Sequence, residues 1–170
     1  MGCPVAVLPG NHDLWRSGDE TSTELIEEIL PELTRGVGFH WLEDAPLKLN
    51  NGTAIVGSIG WYDYSAREPH LNFSDEDVLK SKDQFCNDAR NIDWEFSDTD
   101  FAARCRARVM DQCRALEADP DVKSIVVITH VPVMESQVRR RPEDDKWSLR
   151  NAFFGHLTLG EELKAVSKLH

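Results

Sequence analysis

Four consecutive residues, Gly10-Asn11-His12-Asp13, concentrate the chemistry of this chain. Pro9 and Gly10 force a sharp exit from the apolar run before them, since glycine adopts dihedrals that other residues resist. The turn presents an amide oxygen, an imidazole and a carboxylate side by side. An asparagine oxygen is a hard, neutral ligand for a divalent cation. The imidazole next to it can donate to a phosphoryl oxygen or protonate a leaving alkoxide. A carboxylate beside the imidazole can fix its tautomer. The same residues would also make a plain Asx-type turn that ends a strand. The second candidate is Thr129-His130-Val131-Pro132, which follows the apolar run Ile125-Val126-Val127-Ile128. A histidine there serves as a metal ligand or as a satisfied strand-end residue, with nothing in the segment alone to separate the two.

Several elements must position these segments. Val5-Ala6-Val7-Leu8 reads as a buried strand ending at Pro9. Thr21 and Glu24 form a capping box for a helix with Leu25, Ile26, Ile29, Leu30 and Leu33 on one face, which Pro31 must bend or end. Phe39 to Leu42 and Pro46 to Leu49 read as short strands, and Asn51-Gly52 as a type I′ turn into a strand from Thr53 to Ile59. Residues 63–98 are polar and read as a long loop with short helical pieces. Ser97 caps a helix carrying Phe101, Cys105, Val109 and Leu116 inward. Lys123 to Thr129 is the clearest buried strand, and a last helix from about Thr158 turns Leu159, Leu163 and Val166 inward. This alternation means an α/β or α+β sandwich flanked by helices. Ligands gather at the carboxyl ends of strands in such folds, where both candidate segments stand.

The 170 residues, 41% hydrophobic and 29% charged, fit one soluble domain over 1–170. A net charge of −11 argues against a general grip on DNA or RNA. No apolar run approaches the roughly 20 residues that span a bilayer. No signal peptide is visible, and Ala6 stands where a myristoylated Gly2 would need Ser or Thr. None of the four cysteines forms a CxxC pair, which points to free thiols in a reducing cytoplasm. Arg139-Arg140-Arg141 is followed by Glu143-Asp144-Asp145, so the charges largely cancel and the segment reads as a solvated loop, with one arginine near a substrate phosphate as the alternative. Trp61, Tyr62 and Tyr64 read as core and rim packing rather than a base-stacking platform, and His40 and His70 as surface or packing residues.

Leu8-Pro9-Gly10-Asn11-His12-Asp13, followed far downstream by Ile128-Thr129-His130-Val131-Pro132, resembles the calcineurin-like metallophosphoesterase family. The stretch Ala54 to Tyr64 is similar to that family's central strand and loop. The resemblance implies a phosphatase or phosphodiesterase: metal-dependent hydrolysis of phosphate mono- or diesters at a dinuclear site of manganese, iron or zinc, with a phosphorylated substrate. It implies that Asn11 and His130 ligate metal, that His12 faces the substrate and that Asp13 orients His12. It also implies a partial domain. The family's Asp-x-His and Gly-Asp motifs precede the Gly-Asn-His segment, yet Met1 to Leu8 hold neither Asp nor His. Its Gly-His-x-His motif follows a late helix, and Gly155-His156-Leu157-Thr158 precedes one and lacks the second histidine. A fragment of a longer product, a degenerate domain or a half completed by a partner would each explain this. The alternative function is a non-catalytic interaction domain on the same fold.

Overall fold

Two small sheets divide the strands of the chain. In the computed structural model, residues 3–170 are described, and the myristoylation reading at Gly2 lies outside them. Strand β1 (Ala6–Val7) pairs in parallel with β2 (His40–Trp41). Strand β3 (Leu47–Lys48) pairs antiparallel with β4 (Thr53–Ser58), which pairs in parallel with β5 (Ser124–Thr129) from Thr53 opposite Ser124 to Ser58 opposite Thr129. β4 is central in the order β3-β4-β5, and Ala54 and Val56 on it are fully buried. Gly57 lets Leu42, just after β2, lie against β4: a Cβ on Gly57 would meet the Leu42 Cβ at 2.5 Å. The mixed α and β content stands as expected.

The helices are α1 (Ser22–Glu24), α2 (Leu30–Gly36), α3 (Asp75–Phe85), α4 (Asp88–Asn91), α5 (Asp98–Ala118), α6 (Asp145–Arg150) and α7 (Leu157–Leu163). α5 starts where the Ser97 hydroxyl accepts from the Asp100 backbone N–H at 3.1 Å, and Asp98 and Asp100 complement its dipole. Its inward residues Val109, Cys113 and Leu116 pack with Ala54, Val56, Ile125, Leu159 and Leu163. A second core gathers Leu14, Ile59, Trp61, Tyr62, Tyr64, Phe101 and Phe153. No helix among the described residues is long and apolar enough to cross a membrane.

Five local expectations change. Pro31 does not end its helix, because a π-helical segment at Leu25–Ile29 widens the turn before it, and Leu30 N–H donates to Leu25 O. Leu33 is 63% exposed rather than inward. The hairpin at Asn51-Gly52 is not type I′, since Gly52 has a positive φ of 85° and Asn51 does not; Thr53 N donates instead to Asn51 Oδ1 at 2.9 Å. The stretch 63–98 contains α3, an eleven-residue helix with a Ser74–Asp77 capping box. It buries Val78 alone, so its periodicity is faint in the sequence. β5 lies at one end of its sheet's order, with Ile128 42% exposed, rather than enclosed on both faces.

Candidate functional site

The Asn11–Leu14 segment is a single 3-10 turn, so its third residue folds back on the residue before it. Asp13 Oδ2 accepts from the Gly10 N–H at 2.8 Å. No hydrogen bond joins Asp13 to His12 among the described residues; the carboxylate holds the turn instead of the imidazole. The His12 ring lies 3.8 Å from the Trp15 ring, centroid to centroid, tilted by 35°. Stacking on Trp15, not Asp13, thus restrains the orientation of the His12 ring.

The turn from β1 and the residue after β5 meet. Asn11 Oδ1 lies 3.1 Å from His130 Nε2, and a Cβ on Gly10 would strike the His130 ring at 2.8 Å. Only glycine at position 10 lets the imidazole approach the turn this closely. Asn11 Nδ2 donates to Asp88 Oδ1 at 2.8 Å. Asp88, the first residue of α4, is 2% exposed and also accepts from Trp15 Nε1 at 2.6 Å, from the Tyr62 hydroxyl at 3.3 Å and from the Cys86 thiol at 3.3 Å. An ionised carboxylate only accepts, so it assigns the amide: Nδ2 faces Asp88 and Oδ1 faces His130. His130 Nε2 must then carry a hydrogen, which leaves Nδ1 as the acceptor of the neutral ring. One directed chain thus runs from His130 through Asn11 to Asp88.

The surroundings bear on reactivity. Burial, then the Asp88 charge, pushes the Cys86 thiol up to about 11. Burial, then the charge of Asp98, raises the Tyr62 hydroxyl, which stays a donor. A cavity of about 310 Å³ is lined by Asn11, His12, Trp15, Arg139, Trp147 and Arg150, among others. A smaller one of about 220 Å³ holds His130, and Asn11 and Asp88 line both. His156, read as a loop residue, is buried at the start of α7, where its Nδ1 donates to Gly60 O at 2.6 Å.

Asn11 and His130 are spaced as two ligands of one cation would be, since bonds near 2.1 Å put adjacent donors about 3 Å apart. Both are neutral. No group of three or more His, Cys, Asp or Glu among the described residues is placed to hold a metal ion. Asp88, the carboxylate nearest Asn11, spends both oxygens on protein donors. The described residues therefore do not fit the expected pair of dications, whose charge needs several carboxylates.

Asp88, Trp15, Cys86, Trp147 and Arg150 were missed as site residues. Asp88 sits in a polar stretch without a motif, and only tertiary packing brings Trp15, 73 positions away, onto it.

No family model matches this chain, and no curated protein does. Its fold is similar to the crystal structure of the phosphopantetheinyl hydrolase PptH from Mycobacterium tuberculosis, with a TM-score of 0.63 and 23% identity over 89% of this chain and 55% of that one. The chain thus spans about half the length of that protein. These findings overturn the expected membership of the calcineurin-like metallophosphoesterase family and, with it, the dinuclear phosphoesterase reading. The non-catalytic alternative gains no support either. What is shared is the fold of a hydrolase.

Proposed function

We propose that this chain carries a hydrolytic site for a phosphopantetheinyl linkage or one built like it. The observation that carries the reading is the directed chain Asp88–Asn11–His130, set beside His12 at an aromatic-walled cavity. The shared fold supports the choice of linkage. In the proposed reaction water adds to phosphorus and the P–O ester bond breaks. His130, with Nδ1 free, takes a proton from the water, and protonated His12 gives one to the departing alcohol oxygen. The second hydrogen on Asn11 Nδ2 is available to a phosphoryl oxygen. Asp13 holds the turn that presents both side chains. Trp15, Trp147 and Phe154 offer flat walls to the apolar part of the arm. On the same reading the two sheets are the layers of a sandwich in contact at Leu42 and Gly57, and the thiols suit a reducing, cytoplasmic setting.

The test is to incubate the chain with a phosphopantetheinyl ester and measure the released alcohol and phosphopantetheine by mass spectrometry. Turnover above the blank is expected, reduced by about 10²-fold or more in His12→Asn. Cleavage of simple aryl phosphate esters but not of this one would sink the substrate assignment. No cleavage of any ester would sink the hydrolase.

A further inference from the structure

The chain has twelve arginines, and eight of them form ion pairs with carboxylates. Arg90 donates to the Asp83 carbonyl at 3.1 Å. The remaining three, Arg139, Arg141 and Arg150, have no carboxylate partner among the described residues. In a chain of net charge −11 this is a local exception, and all three belong to one place. Arg139 and Arg150 line the same cavity as Asn11 and His12, and the guanidiniums of Arg141 and Arg139 lie 4.2 and 5.7 Å from the centre of the Trp147 ring.

Two of the nearby acids are engaged elsewhere. Asp144 caps α6 by accepting from Trp147 N at 2.9 Å, and Glu135 pairs with Arg140 at 2.6 Å. The backbone beneath Arg139 is anchored, because its carbonyl accepts from Trp147 Nε1 at 2.8 Å and from Asn151 Nδ2 at 3.2 Å. Guanidiniums recognise phosphate through paired N–H donors, and leaving two of them without an acid at a cavity wall favours an anion from outside the chain.

We infer that Arg139 and Arg150 bind a second phosphate of the substrate, remote from the ester cleaved at Asn11, His12 and His130. The inference rests on the hydrolase reading and narrows it to substrates that carry a second phosphate beyond the ester that is cleaved.

Tryptophan fluorescence of the whole chain reads the test, since Trp15 and Trp147 line the cavity. Coenzyme A, whose pantetheine is joined through a diphosphate to an adenosine bearing a 3′-phosphate, is compared with phosphopantetheine, which has one phosphate. Wild type should bind coenzyme A roughly ten-fold more tightly, and Arg139→Gln with Arg150→Gln should abolish that preference while leaving phosphopantetheine unaffected. Thermal melting of the double variant checks its fold. Adenosine 3′,5′-bisphosphate lacks the arm, so binding of it that the double variant loses upholds the phosphate subsite even if no ester is hydrolysed. Equal losses for coenzyme A and phosphopantetheine, an unchanged preference, or no response of wild type to any of the three ligands would overturn the subsite.

Discussion

Asp88 and Asp98 each begin a helix, each is almost fully buried, and each accepts from a tryptophan ring N–H and a tyrosine hydroxyl. They differ in what neutralises them. Asp98 pairs with Lys82 at 2.8 Å, and its other donors, Trp61 and Tyr64, hold positive φ values of 45° and 65°. That hub restrains strained backbone, where such dihedrals cost on the order of 1–3 kcal/mol each. Asp88 pairs with no cation among the described residues. Its donors are an amide, an indole, a phenol and a thiol, and the amide belongs to Asn11. A buried carboxylate closed by a cation holds a fold together. One closed by neutral donors keeps its negative potential and can orient a partner that lines a cavity.

The largest effect should come from the neutralised hub. Asp98→Ala leaves the half-buried Lys82 without its counter-charge and two buried rings without their acceptor, and should cost about 3 kcal/mol of stability in urea unfolding. Hydrolysis per folded molecule should stay near wild type. Asp88→Asn is the opposite case. The Asn side chain keeps one acceptor, so the stability loss should be about 1–2 kcal/mol. Asn11 loses the carboxylate that fixes its amide, and hydrolysis per folded molecule should fall by about 10²-fold, mostly in kcat. The comparison breaks if both variants lose activity only in proportion to the folded fraction.

Local chemistry was readable in the sequence, and its assembly was not. The Gly10–Asp13 turn and the strand before His130 were legible because glycine, proline and apolar runs act over a few residues. So was the Ser97 cap. Asp88 was not, since its role comes from Trp15, Asn11 and Tyr62, which only the folded chain brings together. The arginine run shows the same limit. Arg139 to Arg141 and Glu143 to Asp145 balance along the chain, but in space Arg140 goes to Glu135, Asp144 goes to a helix cap, and Arg139 stands at the cavity with the distant Arg150. Asp13 followed a local rule other than the one assigned to it, because in a 3-10 turn a carboxylate at the third position reaches the backbone N–H before the turn.

The smallest effect tests the same contrast through a thiol. Burial raises both Cys86 and Cys105 to about 11, but the Asp88 charge adds to the shift only at Cys86. A thiol raised this far stays neutral in the folded chain while the unfolded chain ionises it near the usual value of about 8.5. Its contribution to stability is therefore complete below about pH 8.5 and is lost as pH rises through about 11. Alkylation of the native chain, mapped by peptide mass against pH, should label exposed Cys3 first and reach Cys86 and Cys105 only in strong base. Asp88→Asn should move the onset at Cys86 to lower pH and leave Cys105 where it was. If both cysteines shift together, the variant has loosened the fold as a whole. If neither shifts, Asp88 carries no uncompensated charge, and its likeness to Asp98 is complete.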